Sequence, residues 1–170
     1  MVAFDNDLRN RADDHPNQIQ LTPAYIVDAV RIALGGTIGL DPCTTPDNPV
    51  GAERFYTPPQ DGSLEPWDAE TIYCNPPYCL ARRKWVRRCL DAGLNGSAVI
   101  LLMPAHTDTL PFHLAAEWAT AVLFLKGRVR FGVPRPSGMG MMAATHGSAL
   151  LGWNTDLAAC KHLGLIMKPC

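Results

Sequence analysis

Four consecutive residues, Asn75, Pro76, Pro77 and Tyr78, give the clearest indication of chemistry in this chain. Asn75 and Pro76 each precede a proline, which disfavours the helical region for both, and the prolines carry no N–H group. The result is a stiff corner that presents two acceptors, the Asn75 side-chain oxygen and the Pro76 carbonyl, beside a flat ring. We predict that these four residues are catalytic.

Two acceptors beside an aromatic ring suit a planar substrate that carries an exocyclic amino group. Such an amine is a poor nucleophile because its lone pair is delocalised into the ring. Acceptors that bind its hydrogens favour a pyramidal nitrogen and free the lone pair. Tyr78 would stack on the planar ring of the substrate, a contact that contributes about 1–3 kcal/mol when the ring is a nucleobase. A proline-rich turn in which Asn75 caps a helix is the structural alternative. The apolar strand before the motif and the helix after it favour the catalytic interpretation.

Alternating strands and helices must position this motif. Apolar patterns predict strands over 37–40, 71–74, 98–103, 121–125 and 148–153. Thr22 as N-cap and Pro23 at the first position predict a helix that Gly35 and Gly36 end, and further helices are predicted over 80–92 and 110–118. The alternation predicts an α/β sandwich with a mainly parallel sheet, in which the last two strands pair as a long hairpin. Ligands bind such sheets at the carboxyl ends of strands, where the motif falls.

The remaining segments read as connections. Residues 44–67 contain five prolines and predict an ordered but irregular loop, and residues 126–147 predict an acid-free loop. Residues 1–20 predict a flexible lead-in because they are polar and Pro16 breaks a helix. The 170-residue length then leaves residues 21–170 as a single domain.

The composition excludes several classes of protein. Apolar residues make up 47% of the chain, no apolar run reaches the roughly 20 residues of a membrane span, and the polar N-terminus resembles no signal peptide. Six cysteines without a Cys-x-x-Cys pair favour free thiols and a cytoplasmic location. His106 and His113 have no acidic or cysteine partner at ligand spacing, so no metal is expected.

The net charge of −1 hides an uneven distribution. Residues 1–73 carry twelve acids and four bases, whereas residues 74–155 carry three acids and nine bases. This asymmetry suggests a face for a polyanion, with a solvated basic helix as an equally good alternative. The residues that we predict to contact nucleic acid are Arg82, Arg83, Arg87, Lys126, Arg128, Arg130 and Arg135. The acid-free loop would recognise the target.

The order of motifs resembles the phage-type DNA N6-adenine methyltransferases, a family of amino-methyltransferases with Asn-Pro-Pro-Tyr as catalytic motif. The resemblance covers about residues 21–153. It rests on that motif and on five further matches: Leu21-Thr22-Pro23, Asp41-Pro42-Cys43, Phe55-Tyr56-Thr57 with Asp61-Gly62-Ser63, Leu101-Leu102-Met103-Pro104-Ala105-His106-Thr107-Asp108, and Phe124-Leu125-Lys126-Gly127-Arg128-Val129-Arg130-Phe131.

The resemblance implies a reduced Rossmann-like methyltransferase sandwich with a C-terminal hairpin. It also implies S-adenosylmethionine as cofactor, and double-stranded DNA as the partner, modified at adenine N6 in a flipped-out base. A bacterial host cell, phage or prophage is the implied origin. The residues expected to bind the cofactor are Thr22, Pro23, Asp41, Pro42, Cys43 and Asp61. Of the two acids Asp41 is the better candidate, and each could instead close a local turn.

One departure from the methyltransferase pattern keeps other functions open. The chain has Asp41-Pro42-Cys43 where a glycine-rich loop is common, so a nucleic-acid-binding module without cofactor is one alternative. Methylation of a protein glutamine, or of cytosine at N4, is another. Asn75 rather than serine at the first motif position favours adenine over cytosine N4. A cytosine-C5 nucleophile is not expected, because the motif contains no Pro-Cys pair.

Overall fold

In the computed structural model, the described residues are 20–78, 82–135 and 137–168. Of the predicted lead-in, residues 1–19 lie outside these ranges, and the extent of the single domain stays a prediction. The elements in chain order are α1 (Ala24–Ala33), β1 (Leu40–Asp41), β2 (Arg54–Phe55), β3 (Thr71–Cys74), α2 (Arg82–Leu94), β4 (Ala98–Pro104), α3 (Leu110–Glu117), β5 (Ala121–Leu125), β6 (Arg130–Arg135), β7 (Gly138–Ala143), β8 (Ser148–Trp153), a 3-10 helix (Ala158–Leu163) and β9 (Gly164–Met167).

The described part of the chain forms a seven-stranded sheet in the order β2-β1-β3-β4-β8-β5-β9 and a separate hairpin of β6 and β7. Strands β1 to β5 run in one direction, and β8 and β9 run against them. Ala121 lies opposite Gly152 in the antiparallel pair of β5 and β8. The mainly parallel α/β sheet and the pairing of residues 121–125 with 148–153 are therefore confirmed.

Helices cover both faces of the sheet because its central strands are apolar on both sides. Along β4, Ile100 and Leu102 join the core under α1, whereas Val99 and Leu101 join the core under α2 and α3. Successive side chains of a strand point to opposite faces, so a continuous apolar run is the pattern of a strand buried twice. The result is a three-layer sandwich.

The first helix starts later than its sequence suggests. Its N-cap is Pro23, without a side-chain cap, so the prediction of Thr22 as N-cap is wrong. The Thr22 hydroxyl instead lies 2.7 Å from the Tyr73 hydroxyl. The predicted end is confirmed: the Gly35 and Gly36 amides bond back to the Ile32 and Arg31 carbonyls, with φ +81° at Gly35 and +103° at Gly36.

The basic helix ends later than predicted. Helix α2 runs to Leu94, and Gly93 lies inside it rather than closing it. A glycine is needed there because a Cβ at Gly93 would sit 2.7 Å from the Cβ of Trp153. Gly96 ends the helix instead, at φ +100°, and the following Ser97 amide bonds to the Ala92 carbonyl. The predicted start at residue 80 lies outside the described residues.

Two predicted loops contain strands. The irregular segment 44–67 includes β2, which pairs with β1 at the edge of the sheet, and the segment 126–147 is built on the β6–β7 hairpin. The loop prediction for 126–147 is wrong because residues 130–135 and 138–143 pair as antiparallel strands, with Phe131, Gly132 and Val133 buried on the first of them.

Smaller differences from the prediction concern the residues at which strands and helices begin and end. Strand β1 is Leu40–Asp41 rather than residues 37–40, since the Gly39 amide bonds to the Thr71 hydroxyl outside the ladder. Helix α3 stops at Glu117, one residue early, and β9 extends the sheet unpredicted. Across the residues described, none of the helices has the length and apolar content to span a membrane.

Candidate active site

The motif leaves the sheet at the end of β3, between the ends of β1 and β4. Leu40 pairs with Ile72 and Cys74 pairs with Leu101, both in parallel, so the three carboxyl ends lie along one edge. The residue after β3 is Asn75. The sequence prediction that the motif sits at the carboxyl end of a buried strand is confirmed.

Hydrogen bonds fix the orientation of the Asn75 amide. Its Nδ2 donates to the Gln20 carbonyl oxygen at 2.6 Å and to the Thr22 hydroxyl at 3.1 Å. A carbonyl oxygen can only accept, so the amide nitrogen must be the atom that faces Gln20. The Asn75 Oδ1 then points the other way, where it is buried and has no partner among the described residues. This atom is a fixed acceptor without a protein donor.

A buried tyrosine supports this arrangement from inside the sheet. Tyr73 is fully buried on β3, and its hydroxyl lies 2.7 Å from the hydroxyl of Thr22. Burial raises the pKa of Tyr73 well above its ordinary value, so the phenol stays protonated. Tyr73, Thr22 and Asn75 form one chain of polar groups in which each holds the next.

Tyr78, the last residue of the motif, lies among rings and a cation. Its ring meets the edges of Phe131 and His146 at centroid distances of 5.8 Å each, and the Arg82 guanidinium lies 5.9 Å from its centroid. The Tyr78 hydroxyl is buried without a partner among the described residues. Burial raises its pKa, against the opposing charge of Arg82, so the hydroxyl remains a neutral donor.

The acid at the end of β1 is hydrogen-bonded to its own loop. Asp41 is 2% exposed, and its Oδ1 accepts the Cys43 amide at 3.0 Å in a local turn. Burial raises the pKa of Asp41 to about 7, although hydrogen bonds from Cys43 and Thr44 lower it. Asp41 is therefore protonated over much of the acidic range.

The second predicted acid is held by a neighbouring loop and a helix. The Asp61 carboxylate accepts the Ser63 hydroxyl at 2.6 Å and pairs with Lys84 at 2.7 Å. Burial by itself raises the pKa of Asp61, but Lys84 and Ser63 outweigh it and the pKa is lowered. A Cβ on Gly62 would lie 1.9 Å from the Pro42 carbonyl oxygen, so this loop packs directly on the loop after β1.

The predicted DNA-binding side chains lie on α2, which follows the motif in the chain, and on or next to the β6–β7 hairpin. Arg83 and Arg87 are exposed one turn apart on α2, and Lys126, Arg128 and Arg130 are exposed near the hairpin. Arg82 is half-buried against Tyr78, and the Arg135 side chain lies outside the described residues. Gly132 forms a two-residue bridge with Leu21, which ties the hairpin to the segment that holds Asn75.

Comparison with known proteins decides the family. The sequence model of the family described as DNA N-6-adenine-methyltransferase (Dam) matches residues 11–163. The chain belongs to this family. The resemblance noted in the sequence is thereby confirmed, and S-adenosylmethionine is the cofactor that Dam-family membership implies.

Two further comparisons gave either no match or a match of low sequence identity. None of the curated proteins matches the chain. Among solved structures, a SAM-dependent O-methyltransferase from Thermotoga maritima is similar at 10% identity with a TM-score of 0.46, covering 80% of this chain. The match spans 66% of that protein, slightly less than two thirds of its length.

The edge that carries the motif has the polar groups and the position of a ligand site. A buried acceptor without a partner suits an amine, and the end of β1 lies beside it, where ligands of α/β sheets bind. A groove of about 840 Å³ at the opposite edge of the sheet contains none of the motif residues. Its lining is Trp67, Asp68, Ala69, Glu70, Arg88, Asp91, Ala92, Asn95, Gly96 and Ser97. Across residues 20–78, 82–135 and 137–168 no group of three or more potential metal ligands is found.

Three residues of the site were missed in the sequence. Gln20, Tyr73 and His146 reach Asn75, Thr22 and Tyr78, respectively, from parts of the chain more than 50 residues away. A buried tyrosine inside an apolar strand was the one available signal, since its hydroxyl requires a partner. Nothing in the sequence pairs His146 with Tyr78.

Proposed function

We propose that this Dam-family protein transfers a methyl group from S-adenosylmethionine to the exocyclic N6 of an adenine in double-stranded DNA. The observation that carries the proposal is the Asn75 Oδ1, a buried acceptor whose orientation is fixed and which no described donor satisfies. Such an atom costs about 1–3 kcal/mol of stability, so its retention favours a role in function.

Each residue of the site has a proposed role. The Asn75 Oδ1 and the Pro76 carbonyl accept the hydrogens of the amine, and Pro77 keeps the corner rigid. Tyr78 packs against the base once it has left the duplex, because an N6 inside the stack is out of reach. The cofactor, when bound, supplies a methyl group on a positively charged sulfur.

The cofactor would lie between the ends of β1 and β3. The residues that we propose to hold it are Thr22, Pro23, Asp41, Pro42, Cys43 and Asp61. Because Asp41 and Asp61 are already hydrogen-bonded, we propose that they act mainly by shaping the loops that line this edge. Cys43 is half-buried at the same turn.

The duplex would be held by charge. Phosphate contacts position DNA without reading its sequence, and exposed arginines and lysines around one edge suit this task. We assign this role to Arg82, Arg83, Arg87, Lys126, Arg128, Arg130 and Arg135. With about four phosphate contacts, log K should fall against log[salt] with a slope near −3.6. A flat salt response would contradict the assignment.

The paired acids at the cofactor edge favour one rival, a nucleic-acid-binding module that no longer binds S-adenosylmethionine. A calorimetric titration with that molecule distinguishes the two functions, because the rival predicts no heat of binding. The location in a bacterial cytoplasm and the phage or prophage origin stay predictions.

The test of the proposal is the identity of the methylated product. Duplex DNA is incubated with the protein and S-adenosylmethionine carrying a labelled methyl group, then digested and analysed by nucleoside mass spectrometry. The proposal predicts label in N6-methyladenine, with more product from duplex than from single-stranded DNA. Label in N4-methylcytosine, or in a glutamine of a protein offered instead, would overturn it in favour of the corresponding alternative.

A further inference from the structure

Two histidines meet beside the catalytic ring, and the function proposed above uses neither. His146 lies in the loop between β7 and β8, which the Ala105 amide joins through a 2.9 Å bond to the Gly147 carbonyl. This contact brings the rings of His106 and His146 to a centroid distance of 4.7 Å. The His146 ring also lies 5.8 Å from that of Tyr78. His146 is therefore beside the last residue of the motif.

The His146 ring presents one nitrogen that no described group satisfies. Its Nδ1 lies 3.1 Å from the Thr145 hydroxyl, whereas its Nε2 is buried without a hydrogen-bond partner among the described residues. In the tautomer in which the Thr145 hydroxyl donates to Nδ1, the proton of a neutral imidazole is on Nε2. Nε2–H is then a buried donor that awaits an acceptor.

The surroundings of this donor are positive. The Arg82 guanidinium lies 5.9 Å from the Tyr78 ring centre, and a Cβ built on Gly147 would lie 3.9 Å from a terminal nitrogen of Arg128. Burial lowers the pKa of His146, and the charges of His106, Arg82 and Arg128 lower it further. The sequence has no Asp or Glu over residues 118–155 to offset them. A neutral donor between two cations suits an anionic oxygen.

We propose that His146, together with Arg82 and Arg128, binds a phosphodiester group next to the target nucleotide. The assignment rests on the proposed function, since DNA supplies the anion. Base and phosphate of one nucleotide are separated by a single sugar, so a phosphate held at His146 places its base at the adjoining ring of Tyr78. His146 would thus be a positioning residue that sets where the strand enters.

The experiment combines a protein variant with a change in the DNA. The bound sequence is first located by footprinting the protein on duplex DNA, and each phosphate within it is then replaced in turn by a neutral methylphosphonate. We measure duplex affinity by fluorescence anisotropy for the wild type and for His146→Leu, which keeps the bulk and removes the donor. Exposed His162 of the 3-10 helix supplies the matched control, His162→Leu.

We expect His146→Leu to weaken binding about tenfold, and one methylphosphonate to weaken the wild type by at least as much. That same methylphosphonate should weaken His146→Leu by a smaller factor than it weakens the wild type, because the contact to His146 is already lost while those to Arg82 and Arg128 remain. Penalties that multiply in full would overturn the inference, as would a wild type that tolerates every methylphosphonate. The second outcome does not depend on how the variant folds. Binding is measured without methyl transfer, so a failure of the proposed reaction is seen separately in the nucleoside assay.

Discussion

The polar groups on the two sides of the site edge, at the ends of β3 and β1, differ in their hydrogen bonding. On the β3 side, the Asn75 Oδ1 and the Tyr78 hydroxyl are buried and have no described partner. On the β1 side, Asp41 and Asp61 are hydrogen-bonded to their own loops and to Lys84. Both sides carry residues that the sequence marks as functional, but among the motif and the predicted cofactor-binding residues only Asn75 and Tyr78 present buried polar atoms whose bonding capacity the described protein leaves unused.

This difference separates residues that act on a substrate from residues that build the site. A buried polar atom without a partner destabilises the protein, so such atoms collect where a ligand completes them. A carboxylate whose oxygens are satisfied contributes order instead. We therefore expect loss of the Asn75 amide or of the Tyr78 ring to reduce activity, and substitutions on the β1 side to change stability.

The largest effect is expected at Asn75. Asn75→Ala removes the oriented acceptor and should slow single-turnover methyl transfer about 100-fold or more, as loss of one preorganised contact does in other enzymes. The matched control is Asn95→Ala, at an exposed position on the opposite edge. Equal rates for Asn75→Ala and the wild type would remove the distinction between the two sides.

Tyr78 sharpens the comparison because its ring and its hydroxyl can be separated. Tyr78→Ala should weaken capture of the base by about 1–3 kcal/mol, which is roughly 5- to 150-fold. Tyr78→Phe keeps the ring and removes a buried hydroxyl without a partner, so the free energy of unfolding should rise by about 1 kcal/mol while most activity remains. Urea unfolding and single-turnover transfer measure the two effects. Equal damage from Phe and Ala would assign the role to the hydroxyl.

Asp41 should make the free energy of unfolding depend on pH. Its pKa rises from an ordinary value of 3.8 to about 7 on folding, so between these pH values the folded state holds a proton that the unfolded state has released. The free energy of unfolding should therefore fall as pH rises through this window, by up to about 1.4 kcal/mol per pH unit. Asp41→Asn should lose this slope in urea titrations at pH 5 and pH 7. A variant that follows the wild-type slope would show that Asp41 is ionised in the folded protein.

The smallest effect is expected at Asp61. Its ion pair with Lys84 is exposed, with 39% of the Asp61 side chain accessible, and exposed pairs contribute about 0–1 kcal/mol. Asp61→Asn should lower the midpoint of thermal unfolding slightly and leave the methyl-transfer rate within about twofold, as a structural residue would. A loss as large as that of Asn75→Ala would move Asp61 to the substrate side of the comparison.

The sequence predicted what depends on local patterning. The apolar runs 71–74 and 121–125 are strands with those bounds, and the paired glycines after α1 end that helix, because periodicity and backbone freedom act over a few residues. The motif was located at a strand end for the same reason. The bond between Gln20 and Asn75 joins residues 55 positions apart and depends on the docking of whole elements.

Errors arose where tertiary contacts overrode local preference. Thr22 has the residue type of an N-cap, but its hydroxyl bonds to Tyr73 and Asn75 instead. Gly93 resembles a helix terminator, but it stays helical where Trp153 needs the space. Both cases are long-range packing that a linear pattern does not contain. The first of them also supplies one of the two bonds of the Asn75 amide nitrogen.

The most direct test of the account is a double-mutant cycle on Thr22 and Asn75, measured as single-turnover methyl transfer to duplex DNA. Thr22→Val removes one bond that orients the Asn75 amide and should slow transfer about tenfold, whereas Thr22→Ser keeps the hydroxyl and most of the rate. At saturating S-adenosylmethionine, where a contact between Thr22 and the cofactor no longer limits the rate, Thr22→Val should add nothing further in the Asn75→Ala background, since Thr22 would then act through Asn75. Rate losses that multiply in the double variant would contradict the claim that this network holds an acceptor for the substrate amine.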